Sequence, residues 1–438
     1  MSAVISKDTV RRGVAAHSAI GLICCALLYL VCVSGTAVVL YEEFQRFEQL
    51  DAPEMESIAP QAVDRAVAAV VASEAGQAPT THLYVHMPTE ALPRTTITTD
   101  TQAVHVDAAG GIVVPEENAW SEFLLALHYR LNLPAILGMT LIGLLGAMIV
   151  ALGVSGVVAH PRIFRDAFRL RARRKDEVAT LDWHNRLAVW TLPFALVIAL
   201  TGAMIGMFYV SGYSLAATAY DGDNEAALAP VFGGEDEPDL TPAPLPQIAP
   251  ALEHMARDYP GVRITYVILH DPGTRGQHIQ VIGAHAQRLI FGEYYGFAAD
   301  GSFEGTAGMA DGEIGQQFAA SIYNLHFGNY GGLPVKIAYI VFGLALSVVV
   351  ATGTFIWLDK QARKGRPRPL IHAGWWGVTL GVPLAIFATL LARLALGNGA
   401  PFVAIFWAVT LVAVGVAIAR RRSSASPQTA PADPEYAS

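Results

Sequence analysis

Two copies of one spaced pattern constrain this chain more than anything else in it. A histidine, sixteen intervening residues and a [Ser/Thr]-Gly pair run from His17 to Ser34-Gly35 and again from His184 to Thr201-Gly202, each time along an apolar stretch of membrane-spanning length. A second doubled pattern accompanies it. Leu127-His128 leads into Pro134, Gly143 and Gly153, and Leu325-His326 into Pro334, Gly343 and Gly353, with Pro-to-Gly intervals of 9 and 19 in both copies. Four helices therefore read as two related pairs. A histidine inside or at the rim of a hydrocarbon layer is costly unless it is paired or liganded, which makes these four a functional-site hypothesis. Two pairs at matching places suggest two cofactors.

Hydrophobic residues form 53% of the 438-residue chain and charged ones 15%, and the mean hydropathy is +0.40, well above a soluble globular average. Crossing the hydrocarbon layer takes about 20 apolar residues. Six stretches qualify, near 14–40, 133–159, 185–211, 335–358, 373–396 and 401–419, and only Gly397-Asn398-Gly399-Ala400 separates the last two, which predicts a helical hairpin. Arg11 and Arg12, the Arg162 to Lys175 run, the Lys360 to Arg368 run and Arg420 to Arg422 all fall on one side, which the positive-inside bias makes the cytoplasm. Both chain ends are then expected inside, with two acid-rich segments outside.

The expected order is N-terminus and first span 1–41, first external module 42–120, second span 121–160, basic cytoplasmic loop 161–183, third span 184–212, second external module 213–325, fourth span 326–359, cytoplasmic loop 360–371, fifth and sixth spans 372–420 and cytoplasmic tail 421–438. The net charge of −8 mostly reflects the external segments and argues against nucleic acid as a partner. The first apolar run is too long for a signal peptide, and its histidine recurs in the third span. Cys24, Cys25 and Cys32 all lie in that run, where thiols act as small apolar groups, and no CxxC pair exists.

Outside the spans, residues 60–76 have apolar residues at helical spacing, and 82–87, 94–99 and 103–107 alternate as strands do. The second segment repeats this order, with a helix near 246–258 and strands near 263–269, 277–283 and 288–298. Each external segment is thus expected to form a small α+β module. Asp221 to Pro246, dense in acids, Pro and Gly, reads as a surface linker.

His17 and His184 open the first and third spans near the basic face, and His128 and His326 precede the second and fourth at the opposite face. Neutral imidazole is a good ligand for iron, copper or zinc, and bundles build cofactor sites from facing helices. A haem held from both sides by histidine fits one pair per face. Arg130 and Arg186, each two residues after a histidine, are placed to neutralise haem propionates or to snorkel. His160 and His372 are alternative inner ligands with no matching repeat partner. His82, His86, His105, His254, His270, His278 and His285 read as surface or strand residues of the modules.

Ala16-His17-Ser18-Ala19-Ile20-Gly21, Leu127-His128-Tyr129, Ser155 to Phe164, Leu181-Asp182-Trp183-His184-Asn185 and Leu325-His326-Phe327-Gly328 resemble the PepSY-associated transmembrane family over about residues 12–360. The resemblance implies a polytopic α-helical membrane protein of six spans, the first four duplicated, with two small PepSY-like periplasmic modules in a bacterial inner membrane. Iron-regulated members of this family act as two-haem ferric-siderophore reductases. By that likeness His17 and His184 hold one b haem and His128 and His326 the other, and the acceptor is a ferric siderophore or another periplasmic oxidant. No GxGxxG follows a strand, so the donor is expected to be a separate reductase or membrane quinol. PepSY modules also suggest a non-enzymatic regulator or peptidase-inhibitor-like binding protein. Anchoring alone leaves the duplicated histidines unexplained.

Overall fold

The computed structural model describes residues 6–160, 162–166, 177–234, 239–286 and 288–423. Residues 161 and 167–176 of the expected basic loop and 424–438 of the expected tail lie outside them. Six helices among the described residues are long and apolar enough to cross a membrane, and they fall on the six apolar stretches.

The first half runs from span α1 (Lys7–Val38) through α2 (Tyr41–Glu48) and α3 (Pro60–Ser73) into strands β1 (His82–His86), β2 (Thr95–Thr98), β3 (Ala103–Val106) and β4 (Ile112–Pro115). Helix α4 (Ala119–Arg130) then precedes span α5 (Ala135–Ala159), which is followed by the single turn α6 (Ile163–Asp166). The second half repeats the plan. Span α7 (Glu177–Gly206), α8 (Phe208–Ala219), α9 (Asn224–Phe232) and α10 (Ala249–Asp258) lead to β5 (Val262–His270), β6 (His278–His285), β7 (Glu293–Phe297) and β8 (Phe303–Thr306). Helix α11 (Ile314–Phe327) and span α12 (Gly332–Arg363) follow, then the hairpin of α13 (Pro369–Leu396) and α14 (Phe402–Ser423).

Leu131 and Asn132, both at φ 55°, turn the chain between α4 and α5, and Gly328 at φ 71° does the same after α11. His128 and His326 therefore sit on short helices of their own, ahead of the spans.

The chain divides into two compact units. The unit built from Ser34–Val150 and Pro193–Phe342 carries the sheet. The two external segments were expected as separate modules, but their strands join in one eight-stranded sheet, ordered β4-β3-β2-β1-β5-β6-β7-β8. β1 and β5 meet antiparallel, with Val85 opposite Val267. Each would otherwise be a bare edge of unpaired backbone groups, and pairing them removes both edges. Helices α3 and α10 cover one face, so Val63, Val67 and Met255 share a core with Leu83, Ile97, Val267, Val281 and Phe297.

The expected linker at Asp221 to Pro246 also differs. It contains α9, capped by the Asp223 carboxylate accepting from Ala226 N at 3.0 Å, and Phe232 packs against Ile290 and Met309. Acid-rich composition suggested a loop; one cap and a few apolar residues sufficed for a short helix. At the start of α12, Lys336 is buried and donates to Glu42 at 3.2 Å and Glu43 at 2.8 Å.

The other unit is built from Met1–Val33, Ala151–Leu192 and Gly343–Ser438. Here the hairpin braces the bundle. Tyr29 OH donates to the Thr379 carbonyl at 2.7 Å, and the Trp375 indole N–H donates to the Ala351 carbonyl at 3.0 Å.

Candidate functional site

Helices α1 and α7 bring His17 and His184 together, with ring centroids 6.5 Å apart and planes at 82°. His17 Nδ1 lies 3.1 Å from the Leu152 carbonyl and 3.3 Å from the Ser155 hydroxyl of α5. His184 Nδ1 lies 3.1 Å from the Thr352 hydroxyl of α12, and the residue also hydrogen-bonds the Val349 backbone.

In the sheet-bearing unit, α4 and α11 bring His128 and His326 to 6.2 Å, with planes at 23°. His326 Nδ1 is 3.1 Å from both the Thr201 hydroxyl and the Ile198 carbonyl of α7, and His128 Nδ1 is 3.4 Å from the Ser34 hydroxyl of α1. Both pairs anticipated from the repeat are thus assembled.

All four histidines are seated alike. Each Nδ1 faces the hydroxyl of a [Ser/Thr]-Gly dipeptide on another helix: Ser155-Gly156, Thr352-Gly353, Ser34-Gly35 or Thr201-Gly202. The glycine lets the ring lie against helix backbone. A Cβ there would come within 3.3 Å of the histidine Cε1 at Gly156, 3.2 Å at Gly353, 2.6 Å at Gly35 and 2.7 Å at Gly202. A carbonyl oxygen only accepts, so Nδ1 of His17 and of His326 must donate, leaving the lone pair on Nε2. Such a contact at Nδ1 fixes the tautomer and the orientation of the ring.

The His-x16-[Ser/Thr]-Gly pattern revealed two of these cradles but not the pair at 155–156 and 352–353. Aligned on Pro134 and Pro334, Ser155 corresponds to Phe355 and Thr352 to Leu152. The two cradles are displaced by about one helical turn, and that shift hides their equivalence.

Among the described residues no group of three or more His, Cys, Asp or Glu could hold a metal ion. A pair of imidazoles supplies too few ligands for a structural zinc site. Two imidazoles would suit a metal centre that brings most of its own donors.

The family model described as the PepSY-associated TM region matches residues 14–360, a span that contains all four histidines and all four cradles. The chain belongs to the PepSY-associated transmembrane family. An uncharacterized protein of Pseudomonas aeruginosa is 25% identical over 253 residues, which cover 55% of this chain and 64% of that relative, so the likeness takes in a little under two thirds of the relative's length. Helices α13 and α14 lie beyond the family match.

In this PepSY-associated protein Arg186 is buried two residues beyond His184. Arg130 lies with its guanidinium 5.5 Å from the centroid of its neighbour Tyr129, and its Nε is buried without a hydrogen-bond partner. An orphaned guanidinium nitrogen two residues from His128 suits an anionic group. Among the described residues neither His160 nor His372 joins a pair; His372 Nε2 instead lies 4.0 Å from Asp359 Oδ1.

Other histidines lie on the sheet, away from both pairs. Buried His105 bridges the Thr96 hydroxyl at 2.9 Å and the Gln49 side-chain oxygen at 3.1 Å, and burial holds its pKa down to about 4. His82, His270 and His278 stand in register across β1, β5 and β6, with centroids 4.9 and 4.2 Å apart. Burial first, then His278 and His82, lowers the pKa of His270 to about 3.

Proposed function

We propose that this protein is an inner-membrane di-haem b oxidoreductase that passes electrons across the membrane to a periplasmic acceptor, a ferric siderophore, with release of Fe(II). The observation that carries this reading is the seating of four histidines, paired at 6.5 and 6.2 Å, each by Nδ1 against a [Ser/Thr]-Gly cradle. His17 and His184 hold one group on the cytoplasmic side, and His128 and His326 hold the other on the periplasmic side. The Leu152 and Ile198 carbonyls make Nδ1 of His17 and of His326 the donor, so those two histidines offer Nε2. Arg130 and Arg186 neutralise propionate carboxylates. Bound there, haem supplies one-electron chemistry, and reduction turns an Fe(III) held by hard oxygen donors into the weaker-binding Fe(II).

Electrons come from a partner, membrane quinol or a cytoplasmic reductase. The test is the absorption spectrum of the detergent-purified chain, oxidised and dithionite-reduced, with haem measured per polypeptide. Two six-coordinate b haems are expected, falling to one in His17→Ala, His184→Ala, His128→Ala or His326→Ala. No haem in protein from haem-replete cells would overturn this reading in favour of a membrane-anchored PepSY regulator.

A further inference from the structure

Helices α13 and α14 close a cleft of about 590 Å³ against the end of α12. A volume of this size is typical of a small-molecule site. The cleft's floor is apolar, with Leu358 and Ala373 both buried. Its rim carries three guanidiniums, Arg368, Arg420 and Arg421, against a single carboxylate, Asp359, which lies 4.0 Å from His372 Nε2. Arg368 is held over the Trp357 ring, 5.6 Å from its centroid. Trp376 and His372 form one wall of the cleft, and both pack against Phe355, 4.7 Å and 5.4 Å away by ring centroids. Trp376 is 47% exposed and carries that wall onto the lipid-facing side of α13, where Leu380 follows one turn later at 64% exposure.

We propose that this cleft binds the phosphodiester headgroup of an anionic phospholipid. Guanidinium forks match phosphate oxygens in pairs, and three of them outweigh one carboxylate. The His372 and Asp359 pair offers partners for headgroup hydroxyls. Acyl chains run along Trp376 and Leu380, a complement that a free phosphate lacks. Basic pockets between spans on the positively charged side of a membrane protein take such headgroups, and tryptophan favours that interfacial depth. The hairpin thereby becomes a lipid clamp on α12.

The test uses the full chain in phosphatidylcholine nanodiscs, with phosphatidylglycerol as the probe, and native mass spectrometry of the retained lipid. Wild type should retain phosphatidylglycerol over phosphatidylcholine. The triple variant Arg368→Gln, Arg420→Gln, Arg421→Gln should retain it on the order of a hundredfold less, roughly fivefold per guanidinium. Arg422→Gln, outside the cleft, should match wild type. Equal retention by the triple variant overturns the proposal, and displacement of the lipid by inorganic phosphate alone would show a free-anion site instead. A second measurement needs no charge change: brominated phosphatidylglycerol should quench the Trp376 emission, taken as wild type minus Trp376→Phe, more than brominated phosphatidylcholine does. Equal quenching also overturns it.

Discussion

Replacing Gly202 with alanine puts the cradle itself under test. The new Cβ would lie 2.7 Å from His326 Cε1, 3.4 Å from Nδ1 and 3.6 Å from Nε2. Carbon atoms rest at about 3.5–4.0 Å from one another, so the ring must retreat by about 1 Å or the helices must part. Nδ1 now sits 3.1 Å from both Thr201 Oγ1 and Ile198 O. The same retreat carries it out of hydrogen-bonding range and moves Nε2 by several times the roughly 0.2 Å that a metal site tolerates. Overpacking of this kind costs about 1–3 kcal/mol. A glycine that merely fills a helix would respond with the opposite sign, because Gly→Ala in a helix is worth about 1 kcal/mol of stability. Haem per polypeptide, with reduced-minus-oxidised spectra, reads the result. Gly202→Ala should lose the haem proposed for His128 and His326 and keep the one proposed for His17 and His184. Gly353→Ala, whose Cβ would meet His184 Cε1 at 3.2 Å, needs only a few tenths of an ångström and should keep both. A Gly202→Ala protein with two six-coordinate haems, or a Gly353→Ala protein more damaged than Gly202→Ala, would refute the argument.

The sheet should be sensitive to acid. The fold holds His105 and His270 neutral, with pKa values lowered to about 4 and about 3, whereas an unfolded histidine titrates near 6.5. The unfolded chain therefore takes up protons first. The stabilisation is complete above about pH 6.5 and is lost as the pH falls towards the folded values, by roughly 3 kcal/mol for His105 at the limit. The thermal midpoint should drop between pH 6.5 and 4, with a shallower slope in His105→Gln; identical slopes would exclude His105 as a source. Lys336→Met leaves Glu42 and Glu43 as neighbouring carboxylates without their cation, and should cost about 1.5–3 kcal/mol in unfolding. Adding Glu42→Gln and Glu43→Gln should recover most of that loss, and no recovery would show that Lys336 acts by packing.

The spans and the histidine pairs were legible because both rest on local signals. Apolar length marks a span, and a repeated histidine marks a position whatever the tertiary arrangement. What escaped depends on contacts between distant segments. Nothing in Tyr84-Val85 or Val267-Ile268 says that those strands pair with each other and not with the edges of separate modules. β4 and β8 were missed because Ile112-Val113-Val114-Pro115 is an apolar run that ends in proline and Phe303-Glu304-Gly305-Thr306 offers a single apolar residue, so neither sequence alternates apolar with polar. Ser155-Gly156 and Thr352-Gly353 were visible as dipeptides, but their role appears only when α5 and α12 place them against His17 and His184.

The order β4-β3-β2-β1-β5-β6-β7-β8 reads the same from either end once each strand is replaced by its repeat equivalent. Antiparallel pairing of two equivalent strands at the centre is the contact that two identical chains make about a twofold axis. One half alone, with its four-stranded half-sheet, would leave β1 as a bare edge, and the equivalent strand β5 of the other half covers it. In this chain the two equivalent halves are joined covalently, so neither is bound to match the other. Only the second half now carries the acidic α8–α9 excursion, and only its end carries the α13–α14 hairpin. The parts without a counterpart can therefore differ freely while the central β1–β5 seam keeps its twofold form.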